Sequence, residues 1–300
     1  MPTPEHRPEH LPLIACVASL NQAAEAVWPA MAQTLAEHPA PAMAGFTVEV
    51  VPSIDSTNAE LMRRAHSGPP GQAPTLLVAA DQTAGRGRMG KTWLSQPGHS
   101  LTFSLLLPLQ PAHWAGLSLA VGVSVADALG PLLPPAVGER LRLKWPNDLW
   151  LGGAKLAGIL VETAHFAGNA CLVVGVGINI EAPVPDPTAA WTGVPPTGLA
   201  AHQAHPGGLD TGAVLRAVAP ALLRDLLAFE ALGFSAFAQR FAQRDALRDQ
   251  ALVLSDGKNG LTQGTGCGVD PQGALLVLTP QGMQTVHSAD VSVRPVGATP

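Results

Sequence analysis

Lysine is scarce in this chain. Of 17 lysines and arginines only four are lysines, Lys91, Lys144, Lys155 and Lys258, so arginine supplies nearly every cation a solvated surface needs. Lysine is a compact point charge on a mobile stem and arginine a planar fork, so the two are not interchangeable at a reacting centre. A functional role is expected for at least two of the lysines, and three of the four lie in segments singled out below on other grounds. Cysteine is equally sparse. Cys16, Cys171 and Cys267 stand alone, which excludes a disulfide framework and a cysteine metal spacing and fits a reducing, cytoplasmic compartment.

Long apolar runs are also missing, since no stretch approaches the ~20 residues of a membrane span. Leu11 to Leu20 is apolar and follows Arg7, but Glu5 and Glu9 precede it and Pro12 interrupts it, so it does not read as an export signal. The net charge of -5 disfavours non-specific nucleic-acid binding. Cations are rarest at the N-terminus, where residues 1–47 hold Arg7 alone against Glu5, Glu9, Glu25 and Glu37. That is too little charge to displace phosphate counterions, and the segment is short for a DNA-binding domain. It reads as a Pro-rich end followed by one helix of about fifteen residues around Ala23 to Glu37. The pairs His6/His10 and His202/His205 sit among prolines and glycines and read as solvated loop residues, and no Ser/His/Asp constellation is evident.

What the chain does have is Gly85-Arg86-Gly87-Arg88-Met89-Gly90-Lys91-Thr92-Trp93. Glycines let backbone N–H groups approach oxygens closely, the cations supply charge, and the indole offers a flat face, a combination suited to phosphate beside an aromatic heterocycle. The spacing also satisfies G-x-G-x-x-G, but that dinucleotide pattern should open a helix, and Pro97-Gly98 and another apolar run follow instead. A second segment, Lys144-Trp145-Pro146-Asn147-Asp148 to Glu162, has alternating apolar runs around Gly152-Gly153, a hairpin with a two-residue turn. That register sets Trp150 opposite Lys155 and Leu151 opposite Ala154, with Asp148 on the Lys155 face as its diagonal neighbour. Pro146 places Asn147 and Asp148 at the entry to the hairpin. A third segment, Cys171 to Ile180, reads as a buried strand whose Gly175 and Gly177 admit a close neighbour, ending at Asn179.

Strands are expected at Thr75 to Asp81, Leu101 to Leu107, Leu141 to Trp145, Leu149 to Leu151, Ala154 to Glu162 and Cys171 to Ile180. Helices are expected from Ser56-Thr57 to His66, with Thr57 and Glu60 at capping-box spacing, from Leu117 to Leu129, and near Thr211 to Glu230 and Phe234 to Arg244, after a loop from Glu181 to Gly208. The pattern is α+β, a largely antiparallel sheet with helices on one face. Beyond Asp249, short strands punctuated by Asp256-Gly257, Gly264 to Gly268, Pro271-Gln272-Gly273 and Gln281-Gly282 predict a barrel of about fifty residues. The domains are thus 1–47, 48–248 and 249–300.

Ser56-Thr57-Asn58, Gln82, the loop Gly85 to Trp93, Lys144 to Asp148, Lys155-Leu-Ala-Gly-Ile-Leu160 with Glu162, and Gly175-Val-Gly-Ile-Asn179 occur in the order and spacing of the bacterial biotin protein ligases, which the chain resembles over roughly residues 48 to 295. The resemblance implies the mixed sheet of the biotin and lipoate ligases, like that of class II synthetases, with an SH3-like C-terminal barrel, in a form without the N-terminal DNA-binding module of the repressor relatives. It implies two steps: biotin and ATP, with Mg²⁺ on the phosphates rather than on protein ligands, give biotinyl-5′-adenylate and pyrophosphate, and the biotinyl group then passes to a lysine of a biotin carboxyl carrier protein. Ser56, Thr57, Asn58, Gln82 and Gly85 would form the biotin pocket. Arg86 and Arg88 would lie against the biotin carboxyl and the phosphates. Lys155 would bridge that carboxyl and the α-phosphate, and Gly158 would lie near the ureido ring. Trp93, Lys144, Asn147 and Asn179 would serve the nucleotide, and Asp148 would orient or deprotonate the incoming amine. Lys155, Arg88 and Asp148 are thus the implied catalytic set. Met89 departs from the basic or small residue that relatives often carry there, and a change in loop packing is expected. A lipoate-type acyl ligase shares the fold and is the alternative, and an exposed sheet edge leaves a homodimer open.

Overall fold

A computed structural model describes residues 10–40, 43–67, 73–166, 169–183, 196–203, 208–255, 261–287 and 292–295. Lys258, His6, His205 and the Asp256-Gly257 turn lie outside the described residues. A seven-stranded sheet carries the architecture. Its strands are β1 (Thr47–Ile54), β2 (Thr75–Gln82), β3 (Ser100–Leu107), β4 (Leu141–Lys144), β5 (Asp148–Leu151), β6 (Ala154–Phe166) and β7 (Asn169–Asn179), in the order β1-β2-β3-β7-β6-β5-β4. β1 and β2 are parallel and every other neighbouring pair is antiparallel. β1 was not expected. It is a half-exposed edge strand interrupted by Pro52, a residue tolerated at sheet edges because it has no N–H to donate.

Alternation along the central strands divides the core in two. Leu76, Val78 and Ala80 of β2 enter the larger cluster, whereas Leu77 points the other way into a smaller one with Leu106, Cys171 and Val173. Three helices cover the larger side: α1 (His10–Ala36) over β1 and β2, α3 (Leu117–Leu129) over β4 to β6, and α5 (Thr211–Leu232) between them and over β3. The smaller side is covered by α2 (Thr57–Ser67) through Leu61 and Ala65. The helices therefore do not share one face. An eleven-residue helix cannot cover seven strands, and the part of that face over β3, β6 and β7 is left for a cavity.

Three further expectations are corrected. The N-terminal helix has 27 residues, reaching back to His10, with Pro29 inside it. Leu20, Ala23, Val27, Met31 and Leu35 are buried in the main core, and Ser19 Oγ donates to Asp210 Oδ2 at 2.6 Å beside the N-terminus of α5. The cap of α2 is Ser56, whose Oγ accepts from Ala59 N at 3.4 Å, while Thr57 is already inside the helix and turned to Gln82. The stretch Phe234 to Arg244 is broken into a 3₁₀ turn (Phe234–Ala236) and α6 (Ala238–Ala242), after Gly233 at φ 66°. A one-turn α4 (Pro135–Gly138) precedes β4.

The C-terminal unit is an antiparallel five-stranded sheet of β8 (Ala251–Ser255), β9 (Leu261–Val269), β10 (Leu275–Thr279), β11 (Gly282–Val286) and β12 (Ser292–Pro295), in the order β11-β10-β9-β8-β12. Gly264 to Gly268 is not a turn, because it lies inside β9, where a Cβ on Gly266 would strike the Leu247 carbonyl. Trp145 joins the two units through a buried bond from Nε1 to Gly273 O at 3.0 Å. Gly116, which opens α3, has φ 78°, and a Cβ there would lie 2.5 Å from the Phe234 ring. Gly116→Ala combines left-handed strain with overpacking and is expected to cost about 2–5 kcal/mol in urea unfolding.

Candidate functional site

The cavity opens over the uncovered part of the sheet and has a volume of about 1020 Å³, its mouth included. One wall is polar and buried. Thr57 N donates to Gln82 Oε1 at 2.8 Å, Thr57 Oγ1 lies 2.7 Å from Ser104 Oγ, and Ser104 Oγ donates to Asn58 Oδ1 at 2.8 Å. Asn58 Nδ2 in turn donates to Glu162 Oε2 at 2.7 Å. The wall forms because the start of α2 lies across β3 and β6, and Gly175 permits the contact, since a Cβ there would strike Asn58 Oδ1.

The loop from Gly85 to Trp93 forms the roof. Trp93 N donates to Gly85 O at 2.9 Å and Gly87 N to Lys91 O at 2.7 Å, closing it as a narrow arch. Gly85 lies too close to the Trp93 carbonyl to carry a side chain. Met89 takes φ 55° and ψ 36° at the tip and is 64% exposed, so its side chain makes the loop apex apolar. Arg86, Arg88 and Lys91 all line the cavity. Arg88 Nη1 donates to Asn147 Oδ1 at 3.4 Å, and burial pulls the guanidinium below its usual range, partly offset by the nearby Asp148 carboxylate. An anion entering beside it would restore the solvation it has lost.

The hairpin supplies the floor in the expected register, with Trp150 opposite Lys155 and Leu151 opposite Ala154. Alternation from the Trp150–Lys155 pair puts Lys155 on the Asp148 face, with Lys155 Nζ 2.8 Å from Asp148 Oδ1, and a bulge at Leu156 sets Gly158 rather than Ala157 opposite Asp148. Asn147, in the turn after the Trp145-Pro146 pair, is fixed by Nδ2 donating to Ile159 O at 2.8 Å and by its own carbonyl accepting from Ile159 N at 3.1 Å. Lys144 Nζ stands 5.5 Å from the centre of the Trp150 ring.

Trp93 lies on the sheet itself. Gly158 and Gly177 are directly paired across β6 and β7, and a Cβ on Gly177 would collide with the indole while one on Gly158 would come within 3.1 Å. Lys155 Nζ is 5.8 Å from the indole centre, and the buried Nε1 has no partner among the described residues. Asn179, two residues beyond Gly177, is not at the cavity wall. Its Nδ2 donates to Thr197 O at 3.0 Å, and Thr197 N to Lys155 O at 2.9 Å, so it holds the chain that runs past the floor.

Ser56, Thr57, Asn58, Gln82, Arg86, Arg88, Trp93, Lys144, Asn147, Asp148, Lys155 and Gly158 thus line one cavity, and Gly85 shapes its roof. Sequence reasoning missed Ser104 and Val293. Ser104 is one hydroxyl inside an apolar strand, and only its alternation with Thr102 on the face opposite Leu101, Phe103 and Leu105 could have marked it. Val293 arrives from β12 of the C-terminal unit, beyond the reach of any local pattern.

Residues 50–179 match the Biotin/lipoate A/B protein ligase family and residues 255–294 the Biotin protein ligase C terminal domain. A biotin–[acetyl-CoA-carboxylase] ligase of Paracoccus denitrificans is 35% identical over 79% of this chain and 96% of that protein. The bifunctional ligase/repressor BirA of Escherichia coli is 34% identical over 78% of this chain and 70% of that protein. Among solved structures, a biotin protein ligase from Aquifex aeolicus in complex with biotin and ATP superposes with a TM-score of 0.67 at 28% identity, over 83% of this chain and 99% of that one. The sheet, the cavity motifs and the C-terminal strands are accounted for together: this chain belongs to the biotin protein ligase family.

Proposed function

We propose that this chain activates biotin with ATP and transfers the biotinyl group to one lysine of a biotin carboxyl carrier protein. The observation that carries this reading is the meeting in one cavity of a neutral hydrogen-bonding wall and the cations Arg86, Arg88, Lys144 and Lys155. Joining a carboxylate to a nucleotide brings two anions within reacting distance against their repulsion, and cations aimed at the developing charge are the largest catalytic contribution for such a step. The polar wall takes the neutral ring system, and the cations take the carboxyl and the phosphates.

In the first step a biotin carboxylate oxygen forms a bond to the α-phosphorus as the bond to the pyrophosphate oxygen breaks. Lys155 bridges carboxyl and α-phosphate, and Arg86 and Arg88 hold the phosphates. Trp93 covers the adenine and Lys144 and Asn147 serve the nucleotide, while Asn179, set back from the cavity wall with its amide nitrogen on Thr197 O, holds the chain that runs past the floor. In the second step the acceptor amine attacks the acyl carbon and AMP leaves. A lysine amine is protonated at neutral pH, and Asp148 is the carboxylate placed to orient it and take its proton. Among the described residues no group of His, Cys, Asp and Glu forms a metal site. Mg²⁺ is placed on the nucleotide phosphates in this reading, and no protein ligand is assigned to it. No described helix is long and apolar enough to cross a membrane. A cytoplasmic enzyme that takes no nucleic acid is proposed, with the β1 edge available for pairing with a second copy.

ATP–pyrophosphate exchange by the purified protein tests this. Exchange dependent on biotin is expected; exchange with lipoate alone would transfer the mechanism to another acid, and none with either would remove the ligase reading. Trp93→Ala is expected to raise KM for ATP about tenfold through lost ring packing. A shift in biotin KM with normal ATP dependence would contradict the placement of that indole over adenine.

A further inference from the structure

The polar wall is a hydrogen-bonded chain whose direction is set at one end. Glu162 on β6 receives Asn58 Nδ2, and Asn58 Oδ1 receives Ser104. An ionised carboxyl only accepts, so Glu162 selects the orientation of the Asn58 amide, nitrogen toward itself and oxygen toward β3. Ser104 has one hydroxyl hydrogen, committed to Asn58, and can only accept from Thr57 Oγ1 at 2.7 Å. Thr57 is the donor of that bond. Its 3.1 Å approach to Gln82 Oε1 is then a contact without a hydrogen, and the Gln82 oxygen is held instead by the Thr57 backbone N–H.

Two atoms remain for a ligand. Thr57 Oγ1 presents lone pairs with its hydrogen already used, and Gln82, its oxygen engaged, presents the hydrogens of Nε2. An acceptor beside a donor complements one edge of a ureido group, an N–H next to a C=O; the dithiolane ring of lipoate has neither. Thr57, Asn58 and Ser104 are buried to 3% exposure or less, so a reversed hydrogen would not be compensated by water.

We infer that Glu162 is a positioning residue for ureide recognition: through Asn58 and Ser104 it holds Thr57 as an acceptor and leaves Gln82 as a donor toward the ring of the acid. The inference rests on the biotin reading of the site and adds to it a group that touches no reacting atom.

The test is biotin-dependent ATP–pyrophosphate exchange by the full chain and three variants. In Glu162→Gln either end of the new amide can face Asn58, the direction of the chain is released, and KM for biotin is expected to rise about tenfold or more, with kcat falling by less and KM for ATP unmoved. Asn58→Asp sets two carboxylates face to face and is expected to lose more. The double variant Asn58→Asp/Glu162→Gln exchanges acid and amide: the carboxylate at position 58 accepts from Ser104 on one side and from the amide nitrogen at 162 on the other, restoring the original hydrogen direction. Its KM for biotin is expected to return to within a few-fold of the parent. A Glu162→Gln protein with the parent's biotin KM overturns the inference, as does a folded double variant without recovery. Should the double variant not fold, Ser104→Ala carries the test: it breaks the relay, so an unchanged biotin KM overturns the inference and a rise of about tenfold supports it. Absence of exchange in the unsubstituted protein brings down function and inference together, whereas an active Glu162→Gln with unchanged KM brings down the inference alone.

Discussion

Lys155→Ala is expected to lower biotin-dependent ATP–pyrophosphate exchange by about a thousandfold, with the protein still folded. The ammonium stands on the cavity floor between Asp148, 2.8 Å from its carboxylate, and the face of Trp93. It is the cation fixed closest to a general-base candidate and is delivered by a rigid two-residue hairpin rather than by the roof loop. Charge that develops between a carboxyl and a phosphate in a partly enclosed site gains most from a preorganised cation, because water there cannot reorganise to replace it. Lys155→Arg is not expected to rescue, since a planar fork does not reproduce a compact point charge held between a carboxyl and a phosphate. The fold should survive. The side chain is 37% exposed, and a half-exposed ion pair contributes about 0–1 kcal/mol. A thermal melt beside the exchange assay separates the two effects. Parent-like exchange in a folded Lys155→Ala protein would remove this lysine from the mechanism.

The second large effect concerns stability. Removing residues through Ala36 is expected to leave a chain that does not unfold cooperatively. Leu20, Val27, Met31 and Leu35 of α1 are each at most 3% exposed against α5, β1 and β2, and the Ser19–Asp210 bond ties α1 to the cap of α5. Each such side chain contributes about 2–5 kcal/mol when truncated to alanine, and four of them together, about 8–20 kcal/mol, are as large as the ~5–15 kcal/mol by which a domain is stable. Leu35→Ala alone is expected to cost about 2–5 kcal/mol in urea unfolding. A truncated protein melting within a few degrees of the parent, with parent-like exchange, would make α1 a separable appendage.

The legible parts of the molecule share a physical property: their signal is local, a turn of defined register or an unbroken apolar run. The Gly152-Gly153 turn dictated the Trp150–Lys155 register and hence the Asp148–Lys155 pair, because alternation propagates unambiguously over a few residues. α3 was delimited by its apolar run, and β2, β3 and β7 by continuous burial. Reading failed where long-range packing decided. The α1 sequence is interrupted by Pro12 and Pro29 and weakly amphipathic, and its packing against α5, β1 and β2 accounts for its full length. β1 is an edge strand with Pro52, and its pairing with β2 outweighs a poor local pattern.

The chemistry on offer is written in the residue order alone: a glycine-rich cationic loop with an indole, a lysine and a carboxylate on one face of a hairpin, and strand glycines that invite a close neighbour. Which of these groups meet depends on how the layers pack. α2 crosses to the face left bare by the other helices, which puts Asn58 between Ser104 and Glu162, residues 46 and 104 positions away. The same layering lays Trp93 on Gly158 and Gly177 and turns Asn179 toward Thr197. Periodicity states which side chains share a face, but which face is covered, and by what, depends on where an entire helix can bury its apolar stripe.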